Sequence, residues 1–590
     1  MAPKQFFRIH RIYTGPNPYA ATPVGVVTWD DAVLSQQPMM GGVEAMTAAS
    51  EPLSAPVPFE WSEGLDQKRA IAEWLVSWAF AALTAERGHL NAHGTRDESG
   101  RLMSWIGYHD AGLSLNILDF ASRSLSAFAD KTIDVKDFGA KLRAALRACK
   151  EKHPDFQAKL LMEASDARSI PYLPVKAKRK TWQYGWGVNS MVAFETGVAE
   201  SSFIFREIEH NKPAAKQFLR SIGLPIADGA LVRSKDELNS VIEQVGFPCI
   251  TKPSDGLQSK NVTVDINDED ALIKGFELAA AFGDAPVMVE RMLKGELHRI
   301  MVLRGKFFCT ACRTRPVVFG DGVSTVLELL EQREARRLAD PIASTQVGKL
   351  QFDGHLDRNL KRQGLTLQSR VPKGMSVRLH DIAMRGTGAD MSDLTDVTHE
   401  TVRLMSESIG QAMRMPVVGI DYMTEDISKP PTKDCGFLEA NAIPGLRNVL
   451  ACGVSLDRFA NEFFGPNTGR IPSVLTLTDS EEAAGALARP SAGSVGWVRG
   501  LKSGIGPMVH VLQTKSFAER AEALVLNPLT KSIDIAMPLK AMYKNGLPLD
   551  RFDRIAVLAD EADIAEKWRP VLRAASGQAV HYGRSTARIN

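Results

Sequence analysis

Three oxygen-bearing side chains in the middle of the chain have the types and spacing of a magnesium site. Glu439 and Asn441 stand two residues apart in the strand-like segment FLEANAIPG, and Asp421 lies in the strand-like segment GIDYMTED. Residues i and i+2 of a strand point to the same side, so the oxygens of Glu439 and Asn441 are expected to face one way. With Asp421 on a neighbouring strand, the sequence predicts that these three residues bind Mg²⁺.

Cationic side chains upstream are placed to bind phosphates. Lys216 lies on a predicted helix, NKPAAKQFL, and Lys252 follows a buried strand, FPCITKP. Glu290 ends the strand VMVERML, where its carboxylate suits an adenine edge and a ribose, and Arg299 follows nine residues later. Each residue alone has an ordinary explanation as a solvated or salt-bridged side chain. The ordered set favours ATP and Mg²⁺ as the cofactors.

Such a set suits the joining of a carboxylate to an amine. Amide formation in water is uphill, so the carboxylate must first be activated by phosphorylation. That step needs cations for the ATP phosphates and carboxylates for magnesium. The site must also keep water from the acyl phosphate.

The elements around these residues indicate several domains of α/β and α+β class. The first part of the chain alternates strands, FFRIHRIYTG and TPVGVVTWD, with helices over 66–87, 112–129 and 135–151. The first helix has one apolar stripe at helical spacing, formed by Ile71, Trp74, Leu75, Trp78 and Ala82. We expect an N-terminal α+β domain over 1–164, a central ligase domain over 165–468 that begins with a linker over 164–190, and an α/β domain over 469–590.

Composition and cysteine usage narrow the class of protein. The 590 residues include 71 basic and 69 acidic ones, a net charge of +2, which argues against a dedicated nucleic-acid or anionic-membrane binder. No signal peptide or membrane-spanning run is evident. The six cysteines are sparse, so we expect no disulfide framework and a cytoplasmic location. Cys309 and Cys312 are interpreted as two strand cysteines, not as zinc ligands.

The central segment resembles the ATP-grasp domain of the cyanophycin synthetases, and the similarity extends over nearly the whole chain. The motifs that carry the resemblance are RIYTGPNPY at 11–19, TWQYGWG at 181–187, ERMLKGELHRIMV at 290–302, FGDGVSTVLELLE at 319–331, KRQGLTLQSRVPKG at 361–374, SDLTDVTHE at 392–400, GIDYMTEDIS at 419–428 and EANAIPGLR at 439–447.

The resemblance implies specific roles for residues of the central domain. Arg299 would neutralise the transferred phosphoryl group, and Arg313, Thr387 and Arg447 fall in motifs on the substrate side. The nucleotide would be bound by one set of residues: Lys216, Lys252, Lys260, Val289, Glu290 and Glu296. The N-terminal domain would bind the polymer or a primer.

The C-terminal stretch departs from the family. Cyanophycin synthetases add arginine to a polyaspartate backbone with a second, muramyl-ligase-like domain, whose phosphate-binding loop reads G-T-N-G-K-T. Here the corresponding segment is TDSEEA at 478–483, with Glu482 at the position of the lysine, and AMPLKA at 536–541 replaces another catalytic-looking stretch. We therefore expect a degenerate third domain that packs against the ATP-grasp domain or supports oligomerisation.

Two loops of the central domain also depart from the family pattern. The phosphate loop, G-N-H-G-R-G-V in the family, reads GLQSKNV at 256–262, where Lys260 is expected to replace the arginine. The substrate loop, S-T-G-G-T in the family, reads GTGAD at 386–390. Asp390 would place a negative charge near the binding position of an acidic chain end, which indicates either a different substrate or a weakened site.

Three functions remain open. The favoured one resembles the short cyanophycin synthetases, which polymerise preformed β-aspartyl-arginine dipeptide with one ATP per bond. The second is an ATP-grasp ligase for a different isopeptide product. The third is a non-catalytic polymer-binding partner of a full-length synthetase, which the complete magnesium set argues against. We expect a homo-oligomer, a dimer or a tetramer.

Overall fold

The computed structural model describes residues 6–583, except for several internal segments. These are residues 37–38, 51–52, 54–56, 58–65, 86, 176–179, 255–260, 340–351, 353, 381–388, 467, 491–492, 513 and 515. The chain forms two compact units, Met1–Ala193 with Asn467–Asn590, and Phe194–Pro466. Among the described residues, no helix is both long enough and apolar enough to cross a membrane.

The N-terminal stretch is an antiparallel sheet covered by helices, as the sequence predicts. Its strands are β1 (Phe7–Tyr13), β2 (Val24–Trp29), β3 (His93–Glu98) and β4 (Arg101–Gly107), in the order β1-β2-β4-β3. Its helices are Asp31–Leu34, Met39–Ala48, Gln67–Ala85, Ala111–Ala129, Val135–Lys152 and Phe156–Ala167. The five residues of the predicted apolar stripe are all buried, which confirms it.

The segment predicted as a linker contains regular, buried structure. The strands β5 (Tyr172–Pro174) and β6 (Thr181–Tyr184) pair antiparallel, and all four residues of β6 are buried. Gln183 donates from Nε2 to the carbonyls of Gly185 and Val525, at 3.0 and 2.7 Å. Trp182, Tyr184 and Trp186 of the TWQYGWG motif are buried, so these aromatic residues belong to the packed interior. The next strand, β7 (Met191–Phe194), leads to the boundary between the units.

The second unit begins with β8 (Gly197–Val198) and the helices Phe203–His210 and Lys212–Ser221. A small antiparallel sheet follows, made of β9 (Gly229–Val232), β10 (Cys249–Pro253), β11 (Thr263–Ile266) and β12 (Val287–Arg291), in the order β11-β10-β12-β9. The helices Leu238–Val245 and Glu269–Ala280 share an apolar core with it.

A larger antiparallel sheet carries the predicted magnesium residues. The chain adds β13 (Glu296–Leu303), β14 (Lys306–Thr314), β15 (Val317–Phe319), β16 (Ser376–Arg378), β17 (Asp390–Asp393), β18 (Val417–Thr424) and β19 (Gly436–Asn441). The order is β17-β14-β13-β18-β19, with β15 and β16 as a separate pair. The predicted hairpin at Arg304–Lys306 joins β13 to β14, and Cys309 and Cys312 are buried in β14, as expected of strand cysteines.

Helices complete the second unit. Glu400–Ala412, Leu446–Ala451 and Leu456–Phe464 accompany the larger sheet, and Val326–Ala339 and Gly354–Arg362 accompany the β15–β16 pair. The sheets, with helices between them in sequence, confirm the mixed α/β class.

The C-terminal stretch is an α/β sheet of seven strands. They are β20 (Ser473–Thr478), β21 (Val495–Arg499), β22 (Lys502–Ile505), β23 (Met508–Val509), β24 (Ser532–Pro538), β25 (Arg554–Val557) and β26 (His581–Tyr582). The five strands β21, β24, β20, β25 and β26 are parallel. The helices are Glu481–Ala486, Phe517–Val525, Leu539–Asn545 and Arg569–Ala575.

The described C-terminal sheet packs against the N-terminal part of the chain, a partner that the sequence analysis did not name. Its core residues Leu475 and Ile535 belong to one cluster with Tyr13, Val24 and Trp186. The first and last parts of the chain therefore form a common hydrophobic core. Sequence alone could not predict this, because both partners expose ordinary apolar faces that do not specify each other.

The segment TDSEEA forms a strand-to-helix connection in this sheet. It leaves β20 at Thr478, Ser480 caps the following helix by accepting from Ala483 N–H, and Glu481 and Glu482 occupy the first turn. Acidic side chains suit a helix N-terminus. The same charges would repel a phosphate placed there.

One half-buried histidine, His109, makes the stability of the first unit depend on pH. The His109 ring lies 5.8 Å from that of His153 and 5.7 Å from that of Trp182, and its Nε2 accepts from the His89 N–H. Burial lowers the pKa of His109 to about 3. The folded unit therefore holds this ring neutral, whereas the unfolded chain protonates it below about pH 6.5.

We expect stability from His109 to be complete above about pH 6.5 and to be lost as the pH falls from 6.5 toward 3. The slope is at most about 1.4 kcal/mol of unfolding free energy per pH unit. The substitution His109→Gln, which keeps an acceptor for the His89 N–H, should flatten this slope in denaturant titrations at a series of pH values. His581→Gln, at an exposed histidine, is the control. Parallel pH profiles for wild type and His109→Gln would contradict the assignment.

Candidate active site

Three neighbouring strands hold Arg299, Asp421 and Glu439 side by side. Arg299 of β13 is directly opposite Asp421 of β18, and Asp421 is directly opposite Glu439 of β19. Residues that face each other across an antiparallel pair project to the same side of the sheet. The register therefore gathers one cation and two carboxylates on one face, and Asn441 follows two residues after Glu439.

Arg299 and Asp421 form a bidentate ion pair. Arg299 donates from Nε to Asp421 Oδ1 at 2.5 Å and from Nη2 to Oδ2 at 3.1 Å. The two side chains are only 11% and 9% exposed. Gly419 leaves room for the guanidinium, because a Cβ at that position would lie 3.1 Å from Arg299 Nη1. The same Cβ would lie 2.6 Å from Pro444 Cβ, so a larger residue at position 419 would clash with Pro444 first and also crowd the arginine.

Glu439 lies in a less compensated environment. Burial and the neighbouring Asp421 both raise the pKa of its carboxyl group. Asn441 donates from Nδ2 to Glu439 Oε1 at 3.2 Å, which leaves its own Oδ1 for another partner.

The donor set fits magnesium. Two carboxylates and one amide oxygen are hard ligands, and Mg²⁺ prefers such oxygens. The raised pKa of Glu439 reflects the proximity of a second carboxylate in a site with little water, and a divalent cation would relieve this repulsion. Asp421, Glu439 and Asn441 are thus the residues that would hold it.

The two predicted phosphate lysines meet at one carboxylate. Glu290, 2% exposed, accepts from Lys216 through Oε1 and from Lys252 through Oε2, the latter at 2.6 Å. Lys216 reaches it from the helix Lys212–Ser221, and Lys252 is on β10, next to β12. Gly229 leaves space for Glu290, because a Cβ there would lie 2.7 Å from Glu290 Cγ.

This cluster keeps an excess positive charge. Burial and then Lys252 lower the pKa of Lys216 to about 8, so the ammonium still prevails at neutral pH. Burial alone would raise the pKa of Glu290, but the two lysines outweigh it and hold the pKa below its ordinary value. Two ammonium groups around one carboxylate leave a net cation, which suits phosphate binding.

The remaining predicted nucleotide residues have different surroundings. Val289 is fully buried in the core between the small sheet and its helices, so its side chain is not at the surface of the site. Glu296 begins β13 and lies 3.4 Å from Arg315 Nε through Oε1. Lys260, with most of GLQSKNV, lies outside the described residues.

The predicted substrate-side residues are partly described. Arg313 of β14 projects to the same face as Arg299, because Ala311, two residues earlier, is directly opposite Arg299. Burial and the charge of Arg299 lower the pKa of Arg313. Arg447 is half-buried in the helix Leu446–Ala451, which follows the EANAIPG segment. Thr387 lies outside the described residues.

One further carboxylate joins the magnesium residues and was not predicted. Glu209, on the helix Phe203–His210, accepts from the Ala442 N–H through Oε1 at 2.8 Å, directly after Asn441. Its Oε2 is buried and has no hydrogen-bond partner among the described residues. Burial raises the pKa of Glu209, and the charge of Glu439 adds to this effect. No spacing in the sequence points to it, because 233 residues separate it from Ala442.

Known proteins with similar sequences agree with the resemblance that the sequence motifs indicate. Residues 211–305 match the family model of the carbamoyl-phosphate synthase L chain, ATP binding domain. A cyanophycin synthetase from Synechocystis sp. is 29% identical over 370 residues, 61% of this chain and 40% of the relative. One from Nostoc sp. is 31% identical over 330 residues, 54% of this chain and 36% of the relative.

More distant similarities are found to glutathione biosynthesis. A bifunctional glutathione biosynthesis protein from Pasteurella multocida is 28% identical over 255 residues, 42% of this chain and 33% of that protein. The crystal structure of a bifunctional glutathione synthetase from the same organism matches 57% of this chain and 49% of its own, with a TM-score of 0.41 and 22% identity.

The chain spans about 40% of the length of the cyanophycin synthetases it matches. The family model and these relatives agree with the resemblance carried by the sequence motifs. The chain is therefore similar to cyanophycin synthetases over somewhat more than half of its length, and residues 211–305 of its central unit match an ATP-binding domain.

Proposed function

We propose that this protein is an ATP-dependent, ADP-forming ligase that polymerises β-aspartyl-arginine dipeptides into cyanophycin or a similar polymer. The observation that carries the proposal is the register that sets Arg299, Asp421 and Glu439 side by side. Together with the Lys216–Glu290–Lys252 cluster, it supplies the charges that carboxylate activation by ATP requires.

In the first step these residues would bind ATP and stabilise the transfer of its terminal phosphoryl group. Lys216 and Lys252 would bind ATP phosphates, with Glu290 setting the positions of both ammonium groups. Magnesium, when bound to Asp421, Glu439 and Asn441, supplies charge neutralisation at the phosphates. Arg299, held by Asp421, would stabilise the charge that develops on the transferred phosphoryl group.

The reaction first activates the end of the growing chain and then joins it to a dipeptide. The C-terminal carboxylate of the growing chain attacks the γ-phosphorus of ATP, giving an acyl phosphate and ADP. The neutral amine of an incoming dipeptide then attacks the acyl carbon, the bond from this carbon to the phosphate oxygen breaks, and the amine proton passes to solvent as phosphate leaves. Arg313 and Arg447 would hold substrate carboxylates, because a guanidinium can bind a carboxylate through two parallel hydrogen bonds.

One candidate activation site is found among the described residues, and this favours a preformed dipeptide as the monomer. Building the dipeptide itself would need a second ATP site. In the C-terminal sheet, the connection after β20 leads into Glu481 and Glu482 at a helix N-terminus, which is unfavourable for a phosphate. The C-terminal sheet would then have a structural role.

A second candidate is a ligase for a related isopeptide with a different side-chain amino acid. It is favoured by Asp390, which replaces the threonine of the family substrate loop. For either product we propose a homo-oligomer in the cytoplasm, where the six free cysteines would stay reduced.

The proposed activity predicts that the purified protein releases phosphate from ATP and Mg²⁺ with β-aspartyl-arginine and a short primer. Free aspartate plus arginine should not support turnover. Glu439→Gln removes the negative charge of one proposed magnesium ligand at nearly constant side-chain volume. It should lower kcat by about 100-fold or more. Glu331→Gln, at an exposed glutamate of the same unit, is the matched control.

Turnover with free amino acids would contradict the single-step ligase. Turnover with another β-aspartyl dipeptide only would establish the second candidate. A folded protein that binds the polymer but hydrolyses no ATP with any substrate would establish a non-catalytic binding subunit.

Glu209 is expected to position the magnesium residues through the Ala442 N–H. Glu209→Ala removes this hydrogen bond and should raise the Mg²⁺ concentration for half-maximal activity about tenfold, the lower end of the effect of orienting partners in metal sites. Glu209→Gln keeps an acceptor and should restore most of the affinity. The measurement is phosphate release at a series of Mg²⁺ concentrations with saturating ATP.

The control for this experiment is Glu207→Ala, on the exposed side of the same helix. A purely structural effect would lower the melting temperature and leave the Mg²⁺ dependence unchanged. That result would refute a positioning role for Glu209.

A further inference from the structure

The larger sheet of the second unit contains an inserted segment with its own core. The insertion lies between β14 and β17 and includes β15, β16 and the helices Val326–Ala339 and Gly354–Arg362. A separate apolar cluster holds it together, made of Val318, Val326, Leu329, Leu330, Leu356, Leu360, Val371, Val377 and Leu379. A piece with its own core can keep its fold while its position on the sheet is set by a few contacts.

One set of ion pairs joins this insertion to β17. Arg333 donates from Nη2 to Asp390 Oδ1 at 2.7 Å, and Arg337 Nε lies 3.9 Å from the same oxygen. Glu334 accepts from Arg333 Nη1 at 2.8 Å and from Arg337 Nη1 at 2.6 Å. We refer to Arg333, Glu334, Arg337 and Asp390 as the latch.

The latch is electrically balanced. Its two guanidinium groups and two carboxylates sum to zero charge, and Arg333 is only 7% exposed. Arg333 is shared by two carboxylates, Glu334 and Asp390, and the Asp390 side chain is 42% exposed. Asp390 therefore compensates a charge that the helix Val326–Ala339 brings with it.

These ion pairs change the interpretation of the negative charge of Asp390. From sequence, its carboxylate was expected near the binding position of an acidic chain end, where it would repel the substrate. In the structure the same carboxylate is engaged by Arg333 and Arg337. A charge that is paired at hydrogen-bond distance has a much weaker field at other positions.

The latch also lies next to a substrate-side arginine. Asp390 is opposite Thr314 on β14, and Met391 is opposite Arg313. Successive strand residues point to opposite faces, so Asp390 and Arg313 project to opposite sides of one sheet edge. A shift of β17 would therefore move the backbone that supports Arg313.

We propose that Asp390 is a positioning residue, which through the latch fixes β17 and the inserted segment beside Arg313 for binding an acidic chain end. This inference rests on the proposed ligase function and concerns the positioning of residues in the same substrate site. It explains the substitution in the substrate loop as a charge compensation, so that, if it holds, Asp390 no longer favours the second candidate product.

The test is a double-mutant cycle with Asp390→Asn, Arg333→Gln and the double variant. The readouts are kcat and the KM values for ATP and for a primer of β-aspartyl-arginine units. Each single variant should raise the KM for primer about tenfold, the effect of losing one charged hydrogen bond, with the KM for ATP unchanged. The double variant should be no worse than the poorer single variant, because both remove the same contact.

Matched controls come from the same inserted segment. Asp357→Asn and Arg336→Gln make the same chemical changes at exposed positions and should match wild type. A lower KM for primer in Asp390→Asn would show that the aspartate repels the substrate, which overturns the proposal. Additive effects of Asp390→Asn and Arg333→Gln would also overturn it.

A second readout separates this proposal from the proposed function. Hydrogen exchange of the amides of β17 should accelerate in Asp390→Asn and Arg333→Gln, with no acceleration in the two controls. If wild type shows no turnover with any substrate, the ligase function fails, and the exchange result alone decides whether the latch exists. Unchanged exchange in β17 would refute it.

Discussion

The second unit depends on one electrostatic constraint, which is that carboxylates buried on a common sheet face need cations at fixed distances. Asp421 and Glu439 are direct neighbours across β18 and β19, and only Asp421 has a bidentate arginine partner. Removing one member of a buried ion pair costs roughly 3–5 kcal/mol, because the other charge is left in a poor solvent. A one-residue slip of this register would therefore leave a buried charge without its partner.

The same principle organises the lysine cluster on the small sheet. Glu290 accepts from both lysines, so each ammonium is held at a defined position although the cluster keeps a net positive charge. An anionic ligand would bind to prepositioned ammonium groups and would not have to order flexible side chains. Most of the side-chain entropy is then lost on folding and not on binding. Preorganisation of this kind is worth more to catalysis than the number of charges alone.

The candidate site residues that sequence reasoning could select are those encoded by local spacing. Glu439 and Asn441 were recognisable because they are two residues apart on one strand, and their motif also carries the family resemblance. Glu209 and the partners of Asp390 were not, because hydrogen bonds to Ala442 and Arg333 connect residues far apart in sequence. A side chain's charge is visible in a sequence, but the charge that compensates it is a property of the fold. For the same reason Asp390 was interpreted as a free negative charge.

The C-terminal sheet is held to the N-terminal part of the chain by backbone hydrogen bonds as well as by the shared core. Its segment near Asn545 contacts the N-terminal turn, where Thr14 N–H donates to the Asn545 carbonyl and Leu547 N–H donates to the Pro16 carbonyl, both at 2.9 Å. Asn17, buried in this turn, donates to the carbonyls of Gly15 and Thr22. The motif RIYTGPNPY therefore has a structural explanation, as the surface that receives the C-terminal sheet. Loss of that sheet would expose the apolar side chains of the shared core, so the fold of the first unit depends on it whether or not it binds a ligand.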